Sequence, residues 1–115
     1  MFALSGDFKF HLYSQPTDMR KSFDALSGIV RNSLDCDPLN GDVFVFINKP
    51  RNKIKLLHWQ SSGFVLYYKR LERGTFEIPQ YDSSVGSIQI SYTQLAMIID
   101  GLSIKNLVQR ERYLR

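Results

Sequence analysis

Between residues 49 and 73 the chain carries Lys49, Arg51, Lys53, Lys55, Lys69, Arg70 and Arg73, with Glu72 as the one acid. Seven cations against one acid make this stretch net +6. At a formal +4 over 115 residues, the rest of the chain is therefore net −2. Positive charge segregated in this way is the electrostatic footprint of a polyanion partner, because lysine and arginine neutralise phosphates and release their counterions. A smaller cluster follows in the tail, where Lys105, Arg110, Arg112 and Arg115 outweigh Glu111.

Catalytic chemistry has fewer candidates. His11 and His58 are the only histidines, and neither has a ligand adjacent in sequence. Asp18, Asp24, Asp35, Asp37, Asp42, Asp82 and Asp100 have the side chains a two-metal site would need. Most, however, stand at expected caps, turns or solvent-facing helix positions. The chain shows no glycine-rich phosphate loop, Ser-His-Asp arrangement or H-x-x-x-H pair. Cys36 stands alone, which excludes an internal disulfide and a cysteine zinc cage. We expect no catalytic residue, metal ligand or cofactor.

The elements that must position the cations read as an α+β order. In DFKFHLY, Phe8, Phe10 and Leu12 alternate with Lys9, His11 and Tyr13, the period of a half-buried strand. Met19, Phe23, Leu26, Val30 and Leu34 then form a helical stripe. Thr17 is the expected N-cap behind Pro16, and Asp18 is expected at the positive end of the helix dipole. DPLNGD supplies a turn. VFVFI, apolar on both faces, predicts a covered central strand.

Pro50 makes NKPRNK an exposed basic loop. Residues 53–59 and 64–70 form the next two strands across Gln60-Ser61-Ser62-Gly63. SIQI is a short strand. In SYTQLAMIIDG, Ser91 and Gln94 make a capping box, Leu95, Ile98, Ile99 and Leu102 a stripe, and Gly101 a stop. The expectation is one domain over 1–104, built on a mainly antiparallel sheet of about five strands with a helix after strand one and a C-terminal helix. A basic tail over 105–115 is compatible with a helical extension.

If Trp59 and Phe64 pair across the turn, Lys53, Lys55, Leu57 and Trp59 share a face with Phe64, Leu66, Tyr68 and Arg70. The opposite face, with Ile54, Leu56, His58, Val65, Tyr67 and Lys69, is mostly apolar and is the expected core. A basic corner then lies beside an aromatic strip of Trp59, Phe64 and Tyr68. Those rings are either core or a surface for a partner. Apolar runs are strand-sized, well short of the roughly 20 residues of a membrane span. MFALSGDFKF lacks the basic and extended apolar regions of a secretory signal, so a cytoplasmic location is expected.

Taken together, PTDMRKSFDAL, GDVFVFINK, KIKLLHWQSSGFVLYYKRLERGTF and SYTQLAMIIDG resemble the accessory protein TnpB, encoded by the second open reading frame of IS-sixty-six type bacterial insertion sequences. The likeness runs over nearly the whole chain. Its motif positions are Pro16, Thr17, Asp18, Met19, Arg20 and Lys21, then Trp59, Gly63 and Phe64, then Tyr68, Lys69, Arg70, Leu71 and Glu72. Two stretches depart from the pattern: Gln60-Ser61-Ser62 replaces an acidic glycine-containing turn, and Lys49-Pro50-Arg51 is poorer in arginine.

The resemblance implies a role in moving a DNA element, with the acidic-triad transposase supplied by a separate, larger reading frame. The expected function is a non-catalytic accessory that binds DNA through Lys49, Arg51, Lys53, Lys55, Lys69, Arg70 and Arg73. The alternative is an adaptor that meets the transposase or another element-encoded protein through Arg20, Lys21, Trp59, Phe64 and Tyr68. A small nuclease is the third reading.

Overall fold

The computed structural model describes residues 6–82 and 84–101. The elements run β1 (Phe10–Tyr13), α1 (Phe23–Asn32), β2 (Val43–Ile47), β3 (Lys53–Gln60), β4 (Gly63–Arg70), β5 (Ser87–Ile90) and α2 (Tyr92–Asp100). All five strands join one sheet in the order β4-β3-β2-β1-β5. Because α1 carries the chain back between them, β1 and β2 run parallel; the other neighbours are antiparallel. This is the expected α+β architecture. No helix among the described residues is long and apolar enough to cross a membrane.

β2 occupies the middle of the sheet, and all five of its residues are buried. Strand alternation sends Val43, Val45 and Ile47 to one side, against Ile54, Leu56, Phe76, Leu95 and Ile98. Phe44 and Phe46 go to the other side, against Leu26, Val30 and Leu57. Each such side chain contributes roughly 1.5–3 kcal/mol on leaving water. The sheet is thus covered on both faces, by α1 on one and by α2 with the Phe76 segment on the other.

Both hairpin strands keep the expected register, with Trp59 opposite Phe64 and Lys53 opposite Arg70. The loop is two residues long, Ser61-Ser62, and its left-handed position is Ser61 (φ 52°) rather than Gly63. The expectation that only one face of the hairpin is core needs correcting. β3 is buried on both faces, because Leu57 lies beneath α1 while Ile54 and Leu56 lie beneath the α2 side.

The start of α1 also differs from its prediction. Ser22 is the N-cap, without a side-chain cap bond, and Asp24 is the acid of the first turn. Thr17 lies five residues upstream and is only 4 % exposed; its N–H donates to the Ile47 carbonyl at 2.9 Å. The end of β2 therefore claims Thr17 as a strand neighbour, and residues 16–21 form a strap ahead of the helix. Met19 still packs on the α1 side, whereas Phe23 is 42 % exposed. At α2 the capping box forms as predicted: Gln94 N–H donates to Ser91 Oγ at 3.0 Å, and Ser91 N–H to Gln94 Oε1 at 2.8 Å. Gly101 ends the helix at φ 79°. Leu102 and the 105–115 tail lie outside the described residues.

Candidate nucleic-acid interface

The basic corner is built on the turn between β2 and β3. Asn48 Oδ1 accepts from the N–H groups of Asn52 and Lys53, each at 3.0 Å, and Asn48 Nδ2 donates to Asn52 Oδ1 at 2.7 Å. Arg51 takes the left-handed conformation (φ 60°) that lets so short a loop close. The exit of β4 is fastened to this turn, with Leu71 N–H donating to the Asn52 carbonyl (2.8 Å) and Phe76 N–H to the Arg51 carbonyl (2.7 Å). Phe76 is buried, so the fastening is anchored in the core.

Lys49, Arg51, Lys53 and Arg70 are thereby brought to one end of the sheet. Among the described residues, Lys49, Arg51 and Lys53 make no ion pair. Arg70 pairs with Glu72 at 2.6 Å on the surface, the side chains being 64 % and 52 % exposed. The pairing raises the Arg70 pKa through that hydrogen bond. Arg73 is exposed beside them.

Lys55 and Lys69 do not join this surface. Lys55 is 5 % exposed, and its ammonium donates to the Met19 carbonyl at 2.8 Å and the Lys21 carbonyl at 2.7 Å. It also lies 4.6 Å from the centre of the Tyr68 ring. Burial pushes its pKa down, with Asp18 opposing. It serves as an internal fastener for the strap, out of reach of a phosphate. Lys69 points to the other face of the sheet, where it donates to the Ile99 carbonyl near the end of α2 at 3.0 Å. Lys55 does not betray this in sequence, since it alternates as an outward strand lysine would, whereas Lys69 falls on the face expected to be the core.

A groove with a volume of about 430 Å³ separates the strap from the turn. Pro16, Thr17, Asp18, Met19 and Arg20 form one wall; Asn48, Lys49, Pro50 and Lys53 form the other, with Tyr68 between them. Arg20 belongs to the strap, ahead of the first turn of α1. Its guanidinium holds Asp18 in a pairing of 2.6 Å, and that hydrogen bond keeps the Asp18 carboxyl far below the usual carboxylate range. Lys21 is exposed just beyond.

The aromatic strip is split. Tyr68 is 50 % exposed in the groove, while Trp59 and Phe64 meet edge to face at 5.0 Å at the far end of the hairpin, where Phe64 packs on the α1 side. His11 Nε2 lies 2.8 Å from Asp42 Oδ2, and the ring stacks on Phe44. His58 is buried, and its Nε2–H donates to the Gly41 carbonyl at 3.0 Å. Burial raises the Cys36 pKa. Among the described residues, no three of the histidines, cysteines and carboxylates gather as a metal-binding group.

The order of these segments along the chain can be compared with known proteins. The family model described as IS66 Orf2 like protein matches residues 8–109. The chain belongs to that family. Its relatives include the uncharacterized protein y4jC of Sinorhizobium fredii, 30 % identical over 102 residues, covering 89 % of this chain and 86 % of the relative. The uncharacterized protein y4hO of the same organism is 36 % identical over 86 residues, covering 75 % and 73 %. No solved structure matches. Membership of the IS66 Orf2-like family points to an accessory protein of an insertion sequence. Of the positions that carried the resemblance, Pro16 to Arg20 and Tyr68 line this one groove although about 50 residues separate them in the chain.

Proposed function

We propose that the protein serves transposition of its insertion sequence as a non-catalytic, DNA-binding accessory. The observation that carries this reading is the convergence of Lys49, Arg51, Lys53 and Arg70 on one end of the sheet, three of them without an ion pair among the described residues. Cations held on a rigid turn can meet several phosphates at once, and the short loop loses little entropy in doing so.

Fluorescence anisotropy with labelled element-end and scrambled DNA, titrated from about 50 to 200 mM salt, tests the reading. Expected is steeply salt-dependent binding that weakens when Lys49 and Lys53 become alanine in a still-folded protein. Tighter binding of element ends would add sequence or shape readout. No binding at the lowest salt would overturn the reading and favour the adaptor, which a DNA-independent co-purification with the transposase would detect.

A further inference from the structure

The groove beside the turn has features that phosphate neutralisation on a duplex would not use. We infer that it takes an unstacked nucleotide of single-stranded DNA, the base lying against Tyr68 and the flanking phosphates meeting Lys49 and Lys53. The inference rests on the DNA-binding reading above and deepens it.

Shape is the first argument. A volume of about 430 Å³ falls within the roughly 300–1,000 Å³ of small-ligand pockets, and Pro16, Met19 and Pro50 make its walls partly apolar. A continuous duplex keeps its bases stacked inside and offers such an open groove mainly phosphates. A splayed nucleotide can offer its base as well, with its charged backbone outside.

The second argument is the platform. Tyr68 is half exposed, and Lys55 lies against its ring from within the protein, 4.6 Å from the centroid. Stacking on an aromatic ring is the usual means by which proteins hold single strands without regard to sequence. The arrangement is also pre-built: Lys55 fastens the strap through Met19 and Lys21, Thr17 fastens it to β2, and Asn48 closes the turn. Thr17 lines the groove and its buried hydroxyl has no partner among the described residues.

Charge is the third. Lys49 and Lys53 stand on one wall; on the other, the carboxylate of Asp18 is occupied by Arg20. The rim therefore attracts an anion, which an acidic peptide would share, whereas the stacking floor is particular to a base.

The test compares oligothymidylate, an abasic strand of the same length and a duplex, each labelled, against the full chain in anisotropy titrations at fixed salt. Expected is tightest binding to oligothymidylate, with loss of the bases weakening it about tenfold, on the order of one stacked base. Tyr68→Ala should remove that difference while leaving duplex affinity unchanged, and Tyr68→Phe should retain it. The abasic comparison needs no variant, so it holds even if Tyr68→Ala unfolds. Equal affinity for the abasic strand and oligothymidylate, or tighter binding of the duplex, would overturn the inference while leaving DNA binding intact. Failure to bind any of the three would overturn both.

Discussion

Lys53 and Lys55 are the same residue type, two apart on one face of one strand, and the structure gives them opposite tasks. Lys55→Met removes an ammonium that holds two carbonyls, so it should cost about 2–3 kcal/mol and lower Tm by on the order of 10 °C. Lys53→Ala should leave stability within about 0.5 kcal/mol and show its effect in DNA affinity. Thermal melts and anisotropy on the two variants separate the roles; equal melts would contradict the fastener. Sequence alternation placed both lysines outward, and what distinguishes them is a strap more than 30 residues earlier in the chain, which no local pattern reveals. His58 carries the pH dependence. Burial pushes its pKa below the ordinary 6.5, against the opposing hydrogen bond to the Gly41 carbonyl and the nearby Asp42, so the ring is neutral, its Nδ1 accepting from Gln60 and its Nε2–H donating to Gly41. The unfolded chain then takes up this proton at higher pH than the folded one. Stability from this group is intact above about pH 6.5 and is lost as pH falls toward the lower folded value. Melts at pH 7.5 and 5.5 should show a decline that His58→Gln flattens, and an unchanged decline would place the acid sensitivity elsewhere.

Elements were legible where two signals agreed. The β3–β4 register followed because alternation and loop length both pointed to Trp59 opposite Phe64, and α2 followed because a capping box, an apolar stripe and a terminal glycine coincide. The start of α1 was misplaced because Thr17 is a good N-cap by type, but a hydrogen bond to the Ile47 carbonyl outranks a cap that must stand free of the sheet. In the hairpin turn the conformation that suits glycine falls on a serine. Ser61, not Gly63, takes the left-handed conformation, so Ser61→Gly should stabilise by about 0.5–1 kcal/mol. A methyl at Gly63 meets open space, and Gly63→Ala should leave Tm nearly unchanged. Chemical denaturation of both variants checks the assignment; no stabilisation by Ser61→Gly would mean that Ser61 is not strained.

At the scale of the molecule, the charge segregation visible in sequence overstates the positive surface left exposed. With Lys55 and Lys69 tied to carbonyls, five of the seven expected cations remain, and the logarithmic salt slope on a duplex should not exceed about 4.5, against about 6 for all seven. A slope near 6 would show that other cations, Arg20 and Lys21 among them, join the contact. The groove itself could not be read from sequence, because its walls come from segments that the Thr17 bond to Ile47 and the Lys55 fastening bring together. The strand order also sets an order of assembly. The β2–β3–β4 meander needs only short loops, so it can form as soon as residue 70 has been synthesised. β1 pairs with β2 along one edge, and its other edge must wait for β5, whose Ile90 pairs with Phe10 from the opposite end of the described chain. Until residues 87–90 leave the ribosome, one edge of β1 is an unpaired strand, and Phe10 and Leu12 lack the cover of Ile90 and α2. A chain stopped before residue 87 would therefore keep the basic turn yet be lost to strand-to-strand aggregation, going into the pellet rather than remaining as a weak binder.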